Sequence, residues 1–348
     1  MQTANFTVAP RSISVIAFKR PRSVQSSGAA VYPHTAHILI ARLLTVVFGV
    51  LTAPALIAQP ALAQPVQLSV SAQSTQLSAL VTPSSSEHHV GKVVLVELIT
   101  PDIAVAKQFY GALFGWRFRD LKVAGDTYAE ATLDGQLVAG LVHRPVAVEA
   151  RRQSTWLTFL AVRDVDATRA LAVANGAKVL LAPHSVPNRG REAVFADPQG
   201  AVFGVLESGS GDPYDELPDP GEWIWSSLST TDPEANAGFY QTLFDYDVFE
   251  LPAKHGARHL LLASENYARA SANTLPANRP NSPPHWLNYI HVEDVAASSA
   301  RVLALGGRVL VGARMDRHGA RVALVADPLG APFGLLEWPD AQSKEITR

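Results

Sequence analysis

The side chains able to do chemistry in this 348-residue chain come largely in pairs. Arg191 and Arg321 open two matching apolar runs, "REAVFADP" and "RVALVADP", that end in Asp-Pro-x-Gly turns at Asp197 and Asp327. A planar guanidinium at a repeated position is suited to gripping an anionic ligand with two prongs; a surface ion pair is its plainer use. Five tryptophans, Trp116, Trp156, Trp223, Trp225 and Trp286, recur along strand-like runs. Such rings pack a core or stack on a flat ligand. His285 and His291 bracket "HWLNYIH", and an imidazole titrates near neutral pH, so it can shuttle protons. His88 and His89 form a separate pair, expected to be solvated rather than metal-bound.

What is missing narrows the chemistry further. The chain has 0 Cys, which removes disulfides, thiolate metal sites and a Cys nucleophile. It carries no Gly-rich phosphate loop, no H-E-x-x-H and no G-x-S-x-G elbow. A hydrophobic content of 47% against 17% charged residues suits a globular protein with a sizeable core.

The first 63 residues differ from the rest. They hold five basic residues (Arg11, Lys19, Arg20, Arg22, Arg42) and no acid, followed by the uncharged run "LLTVVFGVLTAPALI" and by "ALA" before Gln64. That order matches a secretory signal peptide cleaved after Ala63; an uncleaved N-terminal anchor is the alternative. The run is short for a membrane span, which needs about 20 residues, so no stable span is expected after cleavage. Removing the leader leaves 24 basic against 31 acidic residues, a net charge of −7, the wrong sign for a nucleic-acid partner. The chain is therefore expected to be exported, to the periplasm or medium. Residues 64–89, rich in Ser and Gln, read as a flexible tether.

The remainder is a duplication. "TPDIAVAKQFYGALFGW" (100–116) answers to "TTDPEANAGFYQTLFDY" (230–246), and "WLTFLAVRDVDA" (156–167) to "WLNYIHVEDVAA" (286–297). Asp102, Phe109, Trp156, Asp164 and Asp197 each have a partner 130 residues on, at Asp232, Phe239, Trp286, Asp294 and Asp327. A constant offset means two domains of one architecture, 90–208 and 221–339, joined by a Gly/Pro/acid-rich linker at 209–220 and followed by a tail at 340–348. Inside each domain an apolar run leads to an Asp that opens a helix, and does so again 62 residues later. The helix after Asp102 shows Val105, Phe109 and Leu113 on one face. Short strand candidates follow each helix, giving a βαβββ unit four times.

The opening "ELxTxDxxxAxxFYxxLFGW" and the close "DPxGAxFGxLE", taken together, resemble the vicinal oxygen chelate superfamily of glyoxalase, bleomycin-resistance and ring-cleaving dioxygenase proteins. The resemblance covers nearly the whole chain after the leader. It implies an α+β fold: four βαβββ modules pairing into two partly open eight-stranded mixed β-barrels with flanking helices, each wrapping a cleft. In metal-using members, ligands sit seven residues before the helix-opening Asp and seven after the turn Asp. Here those positions hold Leu95, Leu157, Trp225, Leu287, Gly204 and Gly334, none of which ligates a divalent cation. No cofactor is expected on that register. A shifted register would readmit a divalent metal.

If Leu95 faces the cleft, alternation brings Glu97 and Ile99 with it; likewise Phe159 follows Leu157, Ser227 follows Trp225, and Tyr289 and His291 follow Leu287. A buried Glu97 would have a raised pKa and suit general acid/base work, with His291 as a candidate proton shuttle; inert, hydrogen-bonded side chains are the alternative for both. Leu95, Phe159, Gly204, Trp225, Ser227, Tyr289 and Gly334 are the expected ligand contacts, with Arg191 and Arg321 for an anionic group. The expected function is binding of a small molecule, an aromatic one among the candidates, in a metal-free cleft. The alternatives are a metal-dependent lyase, isomerase or dioxygenase, an acid/base enzyme using Glu97, and a non-catalytic structural or partner-binding envelope protein. The two domains are expected to pair within one chain, with a homodimer left open.

Overall fold

In the computed structural model, residues 76–123, 126–145, 154–253, 257–275, 282–316 and 319–338 are described. The expected leader and C-terminal tail lie outside them. Each module opens with a strand and an Asp-capped helix. The first runs β1 (Val93–Thr100), α1 (Ile103–Phe114), β2 (Arg117–Val123), β3 (Asp126–Leu133) and β4 (Gln136–His143). The second runs β5 (Thr155–Ala161), α2 (Val165–Ala174), β6 (Lys178–Val186), β7 (Gly190–Ala196) and β8 (Val202–Ser208). The second domain repeats the plan with β9 (Trp223–Thr230), α3 (Pro233–Phe244), β10 (Asp247–Glu250), β11 (His259–Ser264) and β12 (Tyr267–Thr274). It closes with β13 (His285–His291), α4 (Val295–Ala304), β14 (Arg308–Met315), β15 (Arg321–Ala326) and β16 (Pro332–Glu337).

All four helices start as the sequence requires. Asp102, Asp164, Asp232 and Asp294 are N-caps whose carboxylates accept from backbone N–H groups of the first turn, satisfying donors that a helix leaves unpaired. The chain leaves α1 at Gly115, whose φ of 78° lies in the left-handed region that glycine adopts without strain. The buried face of α1 is Ile103, Ala106, Phe109 and Tyr110. It is rotated from the expected Val105–Phe109–Leu113 stripe, because Tyr110 reaches across to the second domain.

Each domain folds into one eight-stranded mixed sheet, in the order β2-β3-β4-β1-β5-β8-β7-β6 and, equivalently, β10-β11-β12-β9-β13-β16-β15-β14. Within a module the first and last strands pair in parallel; the two modules join through antiparallel β1/β5 and β9/β13. Alternation divides the two faces of each sheet. In β1, Val96 and Leu98 enter the core under the helices, while Leu95 packs with Phe159, Ala161 and Leu206 on the other face.

The helix-bearing faces of the two domains bury each other. One core joins α2, β7 and β8 to α3, β11 and β12; the other joins α1, β3 and β4 to α4, β15 and β16. Fully burying a Phe-sized side chain in such a core stabilises by about 1.5–3 kcal/mol. The repeated Asp-Pro-x-Gly turn sits at this seam. Asp197 is 3% exposed; one carboxylate oxygen accepts from the N–H groups of Gln199 and Ala201, both at 2.9 Å, and the other from Asn236 at 2.8 Å and the Tyr240 hydroxyl at 3.2 Å. Asp327 mirrors this with Leu329, Ala331 and the Tyr110 hydroxyl at 3.3 Å. Trp156 and Trp286 then donate to the same tyrosine oxygens at 3.2 and 3.0 Å. The turn therefore locks one domain to the first helix of the other.

Replacing Asp197 by Ala strands several buried donors at once, each costing about 1–3 kcal/mol. Asp197→Ala is expected to lower the unfolding free energy by about 3 kcal/mol in urea titrations; a loss below about 0.5 kcal/mol would show that the seam does not depend on it.

Candidate functional site

The face of each sheet opposite the helices is where the fold offers a site. The positions that would carry metal ligands there are apolar or glycine, and rings fill the glycine gaps. Phe159 lies across Gly204 so closely that a Cβ there would sit 2.4 Å from its Cδ1. Tyr289 does the same over Gly334, at 2.0 Å. A third case stands on β4, where a Cβ at Gly140 would meet the Tyr128 hydroxyl at 2.0 Å and Glu97 Oε1 at 2.9 Å. Leu95 is 5% and Leu287 7% exposed. A divalent cation needs imidazole nitrogens or carboxylate oxygens converging on one point, and these residues do not fit one. Glu207 and Glu337, three residues past the glycines, point to the helix side and accept from the first N–H groups of α2 and α4, both at 3.2 Å.

The first domain's concave face is occupied by its own chain. Residues 76–89, expected to belong to a flexible tether, instead pack as a strap. Leu80 joins Leu95, Phe159, Ala161, Val194 and Leu206, and Leu77 joins Leu121 and Tyr128. Beneath the strap lies a polar cluster. Glu130 is fully buried and accepts from Ser78 N–H (2.6 Å), Ser78 Oγ (2.8 Å), Arg119 (2.5 Å) and Arg189 (2.9 Å). Glu97 accepts from the Tyr128 hydroxyl at 2.7 Å. Burial pushes the Glu97 carboxyl above its ordinary range, against the Tyr128 hydrogen bond and the Arg189 charge. Glu192, 3.3 Å from His184, is pushed up to about 8 by burial and by the nearby Glu97 charge.

Among the described residues the second domain carries no such strap. Trp225, Ser227 and Tyr289 share its concave face with Ser271 and Asn273. Asn273 donates to Ser227 Oγ at 2.6 Å and Ser271 Oγ at 3.1 Å, and Trp225 Nε1 to Ser271 Oγ at 3.3 Å. Burial lifts the Tyr289 hydroxyl to about 12, so it stays protonated as a donor. Where β9 and β12 begin and β16 ends, a cavity of about 300 Å³ is lined by Trp223, Trp225, Tyr267, Arg269 and Trp338, with linker residues 215–218 on one side and Lys92 and Val93 of the first domain on another. Arg269 lies 5.2 Å from the Tyr267 ring centre, a cation–π distance. Its fork is held by Asp215 (2.5 Å) and Glu265 (2.9 Å).

The other expected site residues lie elsewhere. Arg191 forms a two-pronged pair with Asp166 at 2.8 and 3.0 Å, and Arg321 approaches Glu337 at 3.9 Å; both are on the helix side. The His291 ring bonds the Pro218 carbonyl at 2.7 Å and so fastens the linker to β13. His89 is not freely solvated: it lies 2.9 Å from Glu265 and 3.7 Å from Asp215. Among the described residues these three are the group spaced to hold a metal ion, but Lys92 (2.8 Å) and Arg269 already neutralise its carboxylates. No described helix is long and apolar enough to cross a membrane. Sequence reasoning missed Glu130 and Arg189. Glu130 carried a signal, a lone charge between Ala129 and Ala131 on a strand; Arg189 sits in a turn and carried none.

Comparison with known proteins agrees with this architecture. Residues 88–205 match the model of the Glyoxalase/Bleomycin resistance protein/Dioxygenase superfamily, and residues 225–336 that of a Glyoxalase-like domain. The "Putative glyoxylase CFP32" of Mycobacterium tuberculosis is 30% identical over 73% of this chain and 98% of that protein. The "Anthracycline biosynthesis protein DauV" of Streptomyces sp. is 30% identical over 70% of this chain and 92% of its own length. The Mn(II)-bound glyoxalase from Novosphingobium aromaticivorans shares the fold, with a TM-score of 0.52 at 19% identity over 72% of this chain and 83% of that one.

A carboxyl group whose folded pKa is raised keeps its proton in the native state while the unfolded chain has lost it. Stability then falls as pH rises from the unfolded value, about 4.3, through the folded one. For Glu192 that window closes near pH 8. Glu192→Gln is expected to remove part of the decline in urea midpoint between pH 5 and 8; identical profiles for the variant and the native chain would refute the assignment.

Proposed function

The chain belongs to the glyoxalase/bleomycin resistance protein/dioxygenase superfamily, and on that premise we propose that it binds a small aromatic molecule without a metal, in the second domain's cavity beside Trp225. One observation carries the proposal: four rings, Trp223, Trp225, Tyr267 and Trp338, line the cavity together with Lys92, Asp215, Glu216 and Arg269, and Trp225 stands where the family resemblance implies a metal ligand. Rings of this kind stack on flat ligands, adding about 0.5–1.5 kcal/mol beyond area burial. Lys92, Asp215 and Arg269, which also line the cavity, supply the charged groups that would fix orientation. Relatives named for anthracycline biosynthesis support an aromatic ligand, since anthracyclines are fused-ring aromatics.

Acid/base chemistry at Glu97 is the second reading. The buried carboxyl and its Tyr128 partner favour it; the strap over the same face opposes it. Export belongs to the proposal through the basic-then-apolar leader ending at Ala63.

With anthraquinone-2-sulfonate as probe, calorimetric titration is expected to give one site per chain, weakened about tenfold by Trp225→Ala, as the loss of about 1.4 kcal/mol requires. Equal affinity in the variant, or no binding by any member of a panel of flat aromatics, would refute the site. N-terminal sequencing of the exported protein is expected to begin at Gln64; an intact Met1 on protein retained in the cell would contradict export.

A further inference from the structure

The strap over the first domain is an addition to the repeated fold. By the 130-residue offset, the counterparts of residues 76–82 are 206–212, which are the end of β8 and the start of the linker. Among the described residues the second domain builds the same sheet with no counterpart of residues 76–82 packed across it. A half-barrel of this kind does not need the strap in order to form.

The contacts of the strap are those of a ligand. Leu80 and Val81 enter the apolar end of the groove, against Leu95, Phe159, Val194 and Leu206. Ser78 offers two adjacent donors, its N–H and its hydroxyl, to the buried carboxylate of Glu130 at 2.6 and 2.8 Å. Arg119 reaches over the edge to the Gln76 carbonyl at 3.1 Å and to Ser78 Oγ at 2.9 Å. Asn188 holds the Gln76 side chain at 2.9 Å and the Leu77 carbonyl at 3.3 Å. The groove is not fully answered by this occupant. Arg189, 1% exposed, gives one nitrogen to Glu130, while its Nε and Nη1 are buried with no hydrogen-bond partner among the described residues. A native structure rarely leaves such donors unmet.

We propose that the first concave face is a binding groove for short apolar peptides, which dock a Leu side chain beside Phe159 and donate an N–H and O–H pair to Glu130. Residues 76–82 are its intramolecular occupant. Tethering gives the strap an effective concentration in the millimolar range, so a free peptide enters only when the tether is cut. This groove is independent of the aromatic cavity in the second domain.

The test uses the full chain with a specific protease site inserted between Pro83 and Ser84, in an exposed stretch. After folding and nicking, a fluorescent peptide of residues 75–83, "TQLSALVTP", is added under native conditions. The nicked protein is expected to exchange its strap for the peptide with unchanged circular dichroism, whereas the uncut chain takes up none. A peptide with Ser78→Ala is expected to bind at least tenfold more weakly, and one with Leu80→Asp not to bind. Exchange only in denaturant, loss of the fold once the strap departs, or equal binding of the Ser78→Ala peptide would each overturn the proposal.

Discussion

Everything in this molecule depends on one constraint: each half-barrel has an apolar helix face that only the other half-barrel covers. The crossed bonds from Asp197 to Tyr240 and from Asp327 to Tyr110 fix how the two faces meet. A carboxylate buried at 3% or 0% exposure is tolerated only when its oxygens are filled. Two backbone N–H groups and a tyrosine hydroxyl do that in each copy. The helix faces being spent on one another, the surfaces left for ligand chemistry are the outward faces of the sheets and the strand ends where Lys92 and Val93 meet Trp223 and Trp225.

Those faces have diverged under a shared rule. At Gly204 and Gly334 the absent side chain admits a cross-strand ring, Phe159 or Tyr289. Ring over glycine is a packing solution; it fills the volume beside the position at which the family resemblance implies a carboxylate. From that starting point the first domain is covered by Leu77 and Leu80 beside buried Glu130 and half-buried Glu97 and Glu192. The second keeps a cavity among Trp223, Trp225, Tyr267 and Trp338. One fold thus supports a charged, covered groove and an aromatic, open one.

The architecture was legible because it rests on local rules repeated four times. Asp at each N-cap, Gly at the tight turns and alternation along the strands are nearest-neighbour effects, and the constant 130-residue offset multiplied them. The strap was not legible. Leu77, Leu80 and Val81 are scattered among Ser, Gln and Thr, and their value comes from a surface contributed by β1, β5, β7 and β8 far away in sequence. Similarly, Arg191 and Arg321 announced themselves by repetition, yet alternation places them on the helix side with Asp166 and Glu337. Arg189, two residues earlier, lies in the groove, because the turn before β7 aims it there.

The apolar and glycine positions at Leu95, Gly204, Trp225, Leu287 and Gly334 do not fit a divalent metal, so the proposed binding is metal-free. Elemental analysis of the chain, purified without an affinity tag or chelator, decides between metal-free and metal-dependent binding. The account predicts Mn, Fe, Ni and Zn all well below one atom per chain after dialysis. About one tightly held atom of any of these per chain would contradict it.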